Sequence, residues 1–164
     1  MNITLIGMPG CGKSTIGVLL AKTLGYRFLD TDLLIQEKED RLLSDILEEE
    51  GMERFIEIEN QVNAQVDVKR TVIAPGGSAI YGREAMEHFK EIGKVVYIQL
   101  SYETVADRLG DLKARGVVMK DGQTLKQLYE ERCPMYEHYA DVVIRADNKK
   151  IGDILAIIKK ELFH

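Results

Sequence analysis

Gly7-Met8-Pro9-Gly10-Cys11-Gly12-Lys13-Ser14 fits G-x-x-x-x-G-K-[ST], and it lies between an apolar run, Ile3–Ile6, and a helix-like run, Ile16–Leu24. A phosphate-binding loop needs that setting, with a strand to deliver it and a helix to follow it. The glycines let backbone N–H groups curl inward around phosphate oxygens, and the helix adds its positive N-terminal end. Lys13 is placed to reach the outer phosphates, and the Ser14 hydroxyl to ligate magnesium. Gly10, Cys11, Gly12, Lys13, Ser14 and Thr15 are therefore the nucleotide-binding candidates, and the window predicts a nucleoside triphosphate site.

Working outward, the runs Ile3–Ile6, Thr71–Ala74, Val95–Gln99 and Val142–Ile144, with a shorter Arg27–Asp30, read as buried strands rich in β-branched residues. Helical spacing covers Ile16–Leu24, Asp45–Glu50 opened by Ser44, Arg54–Val68, Tyr102–Leu109, Thr124–Tyr139 and Ile151–Phe163. Strand and helix alternate along the chain. That order predicts an α/β fold of three layers, a five-stranded parallel sheet flanked by helices, with ligands at the carboxyl ends of the strands. One domain over residues 1–164 is expected. Gly110–Gly122 combines glycines with Lys113, Arg115 and Lys120 and reads as a mobile basic lid.

Composition narrows the function classes. A formal charge of −5 argues against non-specific binding to nucleic acid, so the charge of a phosphate ligand must be met locally. Met1-Asn2-Ile3 leads straight into the first strand, and no apolar stretch approaches the roughly 20 residues that cross a bilayer, so a cytoplasmic protein without a membrane partner is expected. Cys11 and Cys133 are far apart in sequence and read as reduced thiols, Cys11 being the one placed for a lowered pKa. The acidic stretches Glu37–Asp40 and Glu48–Glu50 read as solvated helix faces, and His88, His138 and His164 as scattered residues without a metal or nucleophilic role.

A phosphate loop alone does not distinguish a kinase from a GTPase or a motor ATPase. The chain is small for a motor, and it has no Asn-Lys-x-Asp guanine-reading motif, which favours a small-molecule or nucleotide kinase. Asp30-Thr31-Asp32 ends the second strand, where alternation would set both carboxylates on one side, near the loop. One suits magnesium, a hard cation that prefers oxygen ligands, and the other an acceptor hydroxyl that must lose its proton.

At this point the chain resembles the shikimate kinases, small P-loop enzymes of the nucleoside monophosphate kinase-like fold. The matching residues are the loop, Asp30-x-Asp32, Gly51-x-x-x-Phe55-x-x-x-Glu59, Gly76-Gly77, Arg115, Arg132-x-Pro134-x-Tyr136 and Ala140-Asp141. The resemblance implies transfer of the ATP γ-phosphoryl group to a ring hydroxyl of shikimate, a step of aromatic amino-acid synthesis, by a monomer whose residues 31–70 form a substrate-binding helical region. It assigns Asp32 to substrate hydroxyls and to the base, Arg132 to the substrate carboxylate, Arg115 to the transferring phosphoryl group, and Ser14 and Asp30 to magnesium. Lys13, Asp32 and Arg115 are thus the catalytic candidates. Arg108 matches the family's adenine-stacking arginine, and Asn148-Lys149-Lys150 falls on its last adenine-side loop.

Three departures lie on the acceptor side. The family has arginine directly after the phenylalanine, paired with the substrate carboxylate and held by the glutamate matching Glu59; here that position is Ile56. Arg54 is no substitute, because two residues turn a helix by about 200°. Loss of such a bond weakens carboxylate binding by roughly ten- to a hundredfold and leaves Glu59 without its partner. Ser78 replaces the third glycine after Gly76 and Gly77, which adds a hydroxyl to the acceptor wall, and Arg115-Gly116-Val117-Val118 replaces the usual Arg-Pro-Leu-Leu. Beside shikimate, two alternatives therefore stand: a kinase of another small hydroxylated metabolite, a polyol or amino-alcohol, and an ATP-binding module without transfer activity.

Overall fold

The computed structural model describes residues 1–110 and 117–163. Five strands, β1 (Asn2–Ile6), β2 (Arg27–Asp30), β3 (Thr71–Ala74), β4 (Gly93–Gln99) and β5 (Val142–Arg145), form one parallel sheet in the order β2-β3-β1-β4-β5. All five stand within two residues of their expected bounds. After β3 the chain passes over β1 to start β4, so the order reverses beside β1, and a crevice opens there at the carboxyl ends. The phosphate loop leaves β1 at that point.

The described helices are α1 (Lys13–Leu24), α2 (Thr31–Glu39), α3 (Leu43–Ala64), α4 (Arg83–Ile92), α5 (Tyr102–Leu109), α6 (Leu125–Tyr139) and α7 (Ile151–Leu162). Helix α1 packs on β3 and against α7, whereas α4 and α6 pack on β4. Ile3, Leu5, Leu20, Val96, Phe89 and Ile158 meet in the core between these layers, each fully buried. Each contributes about 1.5–3 kcal/mol through water excluded from its side chain. A second, smaller cluster joins Ile35 of α2 to Ile46, Phe55, Ile58 and Val62 of α3, and Val118 from beyond residue 116 packs into it.

Local chemistry explains the helix ends. Thr124 and Gln127 form a capping box at the start of α6, and Asp30 caps α2 by accepting a 2.9 Å bond from the Asp32 N–H. The expected Asp45–Glu50 segment and Arg54–Val68 up to Ala64 join as α3 across a kink at Gly51, whose φ of 83° breaks the helix without ending it, and residues 65–68 lie beyond the helix.

Helix α4 lies outside the sequence reading, and α2 is covered there only by the helical region of residues 31–70, without bounds of its own. In α4 the apolar spacing Ala85, Met86, Phe89 is present, but Gly82 occupies the cap position. Asn60 of α3 performs the capping from a distance, accepting from the Ala85 N–H at 3.0 Å while donating to Glu84 at 2.9 Å. Helix α2 buries only Thr31 and Ile35, too few for a helical period to show.

Candidate active site

Gly10 and Gly12 adopt φ of 78° and 92°, the left-handed backbone that turns the amides of this loop inward. Lys13 folds back over the loop, its Nζ donating to the Gly7 and Met8 carbonyls at 2.8 and 3.1 Å. That pins the ammonium at the mouth of the loop rather than leaving it free in solvent. Ser14 and Thr15 are exposed in the first turn of α1, whereas Cys11 is 2% exposed, with its Sγ 3.7 Å from Lys13 Nζ. Both cysteines are free thiols.

Beside the loop, a cavity of about 160 Å³ is bounded by Gly12, Thr15, Arg108, Ala146, Lys149 and Ile151. Arg108 bridges it to the loop through a 3.3 Å bond to the Gly10 carbonyl. Asp147 stabilises its rim by accepting from the Ser101 N–H and the Thr104 hydroxyl at 3.0 and 2.9 Å. The flat guanidinium and apolar Ile151 suit a heteroaromatic base.

A second cleft, about 310 Å³, brings Lys13, Ser14, Asp30 and Asp32 together with Gly76, Gly77, Ser78 and Arg132. Its geometry corrects the sequence argument for the aspartates. The strand stops at Asp30, and Asp32 lies in the first turn of α2, so a helix start, not strand alternation, carries both carboxylates to the cleft. Burial, with help from the Asp30 charge and against the pull of Lys13, lifts the Asp32 pKa to about 6. Asp32 is thereby closer in proton affinity to a hydroxyl-activating base than an exposed aspartate is.

The acceptor wall is a short 3₁₀ turn, Gly77–Tyr81, entered through Gly76. The Tyr136 hydroxyl holds it by donating to the Gly77 carbonyl at 2.6 Å. A methyl group on Gly76 would stand 2.9 Å from Asp32 Oδ1 and 3.3 Å from Glu59 Oε2, so glycine is required by the carboxylates that crowd it. Gly76→Ala should displace Asp32 and lower kcat by about tenfold or more while ATP affinity holds, since a small misplacement of a reacting group is costly; kinetics beside nucleotide titration check the split.

Arg132 is 1% exposed, stacks 5.4 Å from the Tyr81 ring centre, and donates through Nη2 to the Val118 carbonyl. Tyr81 in turn donates to Glu131, whose other oxygen receives Lys120 at 3.3 Å. Glu59 stands behind this wall, 2% exposed and outside the cleft lining; as expected it has no cationic partner among the described residues, and a neutral hydroxyl takes that place. The Ser78 hydroxyl donates to Glu59 Oε1 at 2.7 Å, so the added hydroxyl turns away from the cleft. Ile56 is also off the cleft, packed with the α2–α3 cluster, and Arg54 pairs at the surface with Glu50 and Glu57.

The acidic stretches are solvated helix faces as expected, with only Glu39 half-buried, and they also make ion pairs. Glu39, Glu49 and Glu50 converge on Arg41 and tie the end of α2 to α3. His88 hydrogen-bonds the Val66 carbonyl in a structural role. Lys113 and Arg115, within residues 111–116 of the expected lid, lie outside the described residues. No described helix is long and apolar enough to cross a membrane.

A protein-family model described as shikimate kinase matches residues 9–162. The shikimate kinase of Sulfurihydrogenibium sp. (strain YO3AOP1) is 38% identical over 97% of this chain and 98% of its own length. That of Moorella thermoacetica is 36% identical over 98% and 94%. Among solved structures, shikimate kinase from Acinetobacter baumannii in complex with shikimate superposes with a TM-score of 0.88 at 33% identity, covering 98% of this chain and 92% of that one.

Proposed function

The chain belongs to the shikimate kinase family, and from that membership we propose that it transfers the γ-phosphoryl group of ATP to a ring hydroxyl of shikimate, giving shikimate 3-phosphate. It is an ATP-dependent phosphotransferase with an alcohol acceptor. The observation that carries the reading is the single cleft in which the phosphate loop, Asp32 and Arg132 meet. Arg132 takes the acceptor's carboxylate, and Asp32 takes the proton of its reacting hydroxyl. The new bond forms from that hydroxyl oxygen to the γ-phosphorus as the bridging P–O bond breaks, and its electron pair leaves with ADP. Lys13 and the loop amides stabilise the charge on the transferring group, with Arg115 joining them as the resemblance implies.

Magnesium fits this site. The donors that face the phosphate loop, Ser14 and Asp30, are hard oxygens, and no cluster of three acidic, histidine or cysteine ligands occurs among the described residues. A small cation that keeps waters and takes phosphate oxygens needs no more. When bound with ATP it neutralises phosphate charge and orients the γ-group. Two free cysteines are in keeping with a cytoplasmic enzyme, and we infer that it works as a monomer.

The polyol or amino-alcohol reading rested on an unpaired Glu59 beside Asp32. Glu59 does lack a cationic partner, but Ser78 holds it behind the wall and outside the cleft lining, away from where an acceptor's amine or hydroxyl would sit. A non-catalytic module fits poorly with a cleft that retains Lys13, Ser14, Asp30, Asp32 and Arg132.

Coupled ADP release with magnesium, ATP and shikimate tests the proposal, with polyols and amino-alcohols as competitors. Shikimate should be the preferred acceptor, and Arg132→Lys should raise its KM by about ten- to a hundredfold while the KM for ATP changes little. Turnover of a polyol without turnover of shikimate would refute the assignment.

A further inference from the structure

Glu59 is one of the few acidic side chains withdrawn from water in this protein, and its surroundings are unusual for an ion. Oε1 accepts the Ser78 hydroxyl, Oε2 has no hydrogen-bond partner, and no cation lies within ion-pair distance among the described residues. The charged groups that act on it come from other elements: Asp32 of α2, which disfavours its charge, and, with a smaller effect, Arg132 of α6, which favours it. The 3₁₀ turn offers only the Ser78 hydroxyl, and α4 meets α3 through Glu84, which is engaged with Asn60. An ionised carboxylate with one neutral donor and an aspartate beside it is strongly disfavoured in such a place.

We propose that Ser78 and Glu59 act as a positioning pair for the acceptor: the Ser78 hydroxyl fixes Glu59 behind Gly76, burial beside Asp32 keeps it an uncharged acid there, and that neutrality sets the cleft's attraction for an anionic acceptor. The pair rests on the acceptor reading above. Burial, assisted by the Asp32 charge, lifts the Glu59 pKa to about 8, consistent with the geometry. With Glu59 neutral, the guanidinium of Arg132 meets an anion without a rival behind the wall. Ionisation would place a negative charge next to Asp32 and weaken that attraction. The Ser78 bond favours the ionised form, so it tunes where the change occurs.

Two measurements on the full chain test the pair. The first needs no acceptor: thermal midpoints of wild type and Glu59→Gln between pH 5 and 9.5. Glu59 binds its proton more tightly folded than unfolded, so its contribution is complete below about pH 4.5 and is lost as pH rises through about 8. The wild-type midpoint should therefore fall relative to the Gln variant over that window, the titration of Asp32 being common to both. Parallel curves, or a wild type that gains on the variant, would overturn the proposal. The second measures KM for shikimate and for ATP over the same range. The shikimate KM of the wild type should rise about three- to tenfold from pH 7 to 9.5. Glu59→Gln should abolish that rise, Ser78→Ala should displace it to higher pH, and the KM for ATP should follow neither change. An identical alkaline rise in Glu59→Gln would overturn the proposal, and if one variant does not fold the other still decides it. Absence of shikimate turnover would sink the acceptor assignment instead, and the thermal curves would still decide the state of Glu59.

Discussion

Lys13→Ala is expected to lower kcat/KM by about a thousandfold or more, the loss typical of removing a cationic group from the path of phosphoryl charge. In free-energy terms that is about 4 kcal/mol of transition-state stabilisation. The structure adds a second reason for a large effect. The same ammonium bonds the Gly7 and Met8 carbonyls, so alanine also removes an internal brace of the loop. ATP affinity should fall together with turnover, whereas loss of a group that acts only in the transition state would leave affinity unchanged. Steady-state kinetics with calorimetric titration of ATP separate the two, and activity within tenfold of wild type would remove Lys13 from the mechanism.

Asp32→Asn should cost about a hundred- to ten-thousandfold in kcat, the range for loss of a positioned base. The variant is unusually clean. Asp30 caps α2 through the backbone N–H of residue 32, so the helix start is indifferent to the side chain being changed. Asparagine keeps the shape of the group and its contact with a substrate hydroxyl while losing the ability to take a proton. KM for both substrates should therefore stay within a few-fold of wild type. Wild-type turnover in the asparagine variant would reassign the base.

The eight residues of the phosphate-loop motif could be read directly because the role proposed for them is set by backbone conformation, which sequence encodes locally. The five strands were equally legible, since β1, β3 and β4 are nearly continuous apolar runs. Arg108 and Arg132 were found by resemblance and Asp32 from its place after the second strand, and the structure brings each to the cleft or to its nucleotide side. For Asp32 the residue was right and the geometric reason was not, because a cap at Asp30 turns the chain one residue earlier than strand alternation assumes. What stayed hidden depends on contacts across the fold. The cap of α4 comes from Asn60, 25 residues away from the amide it serves. The partner of Glu59 is Ser78, 19 residues on and in another element. Two departures that look independent along the chain, Ile56 and Ser78, thus have different fates: one joins a secondary core, and the other supplies a hydrogen bond.

The bond from Arg132 to the Val118 carbonyl joins the proposed anchor of the acceptor to the segment that follows residue 116. One guanidinium then has two clients. An acceptor that takes the Nη2 hydrogen now given to the carbonyl would have to displace it, so its affinity would be lower by the strength of that bond, and its arrival would free the Val118 carbonyl from Arg132. By reciprocity, whatever draws that segment away from α6 strengthens acceptor binding by the same factor. The cleft is in this sense a balance, in which the position of one strip of backbone is read out as a dissociation constant.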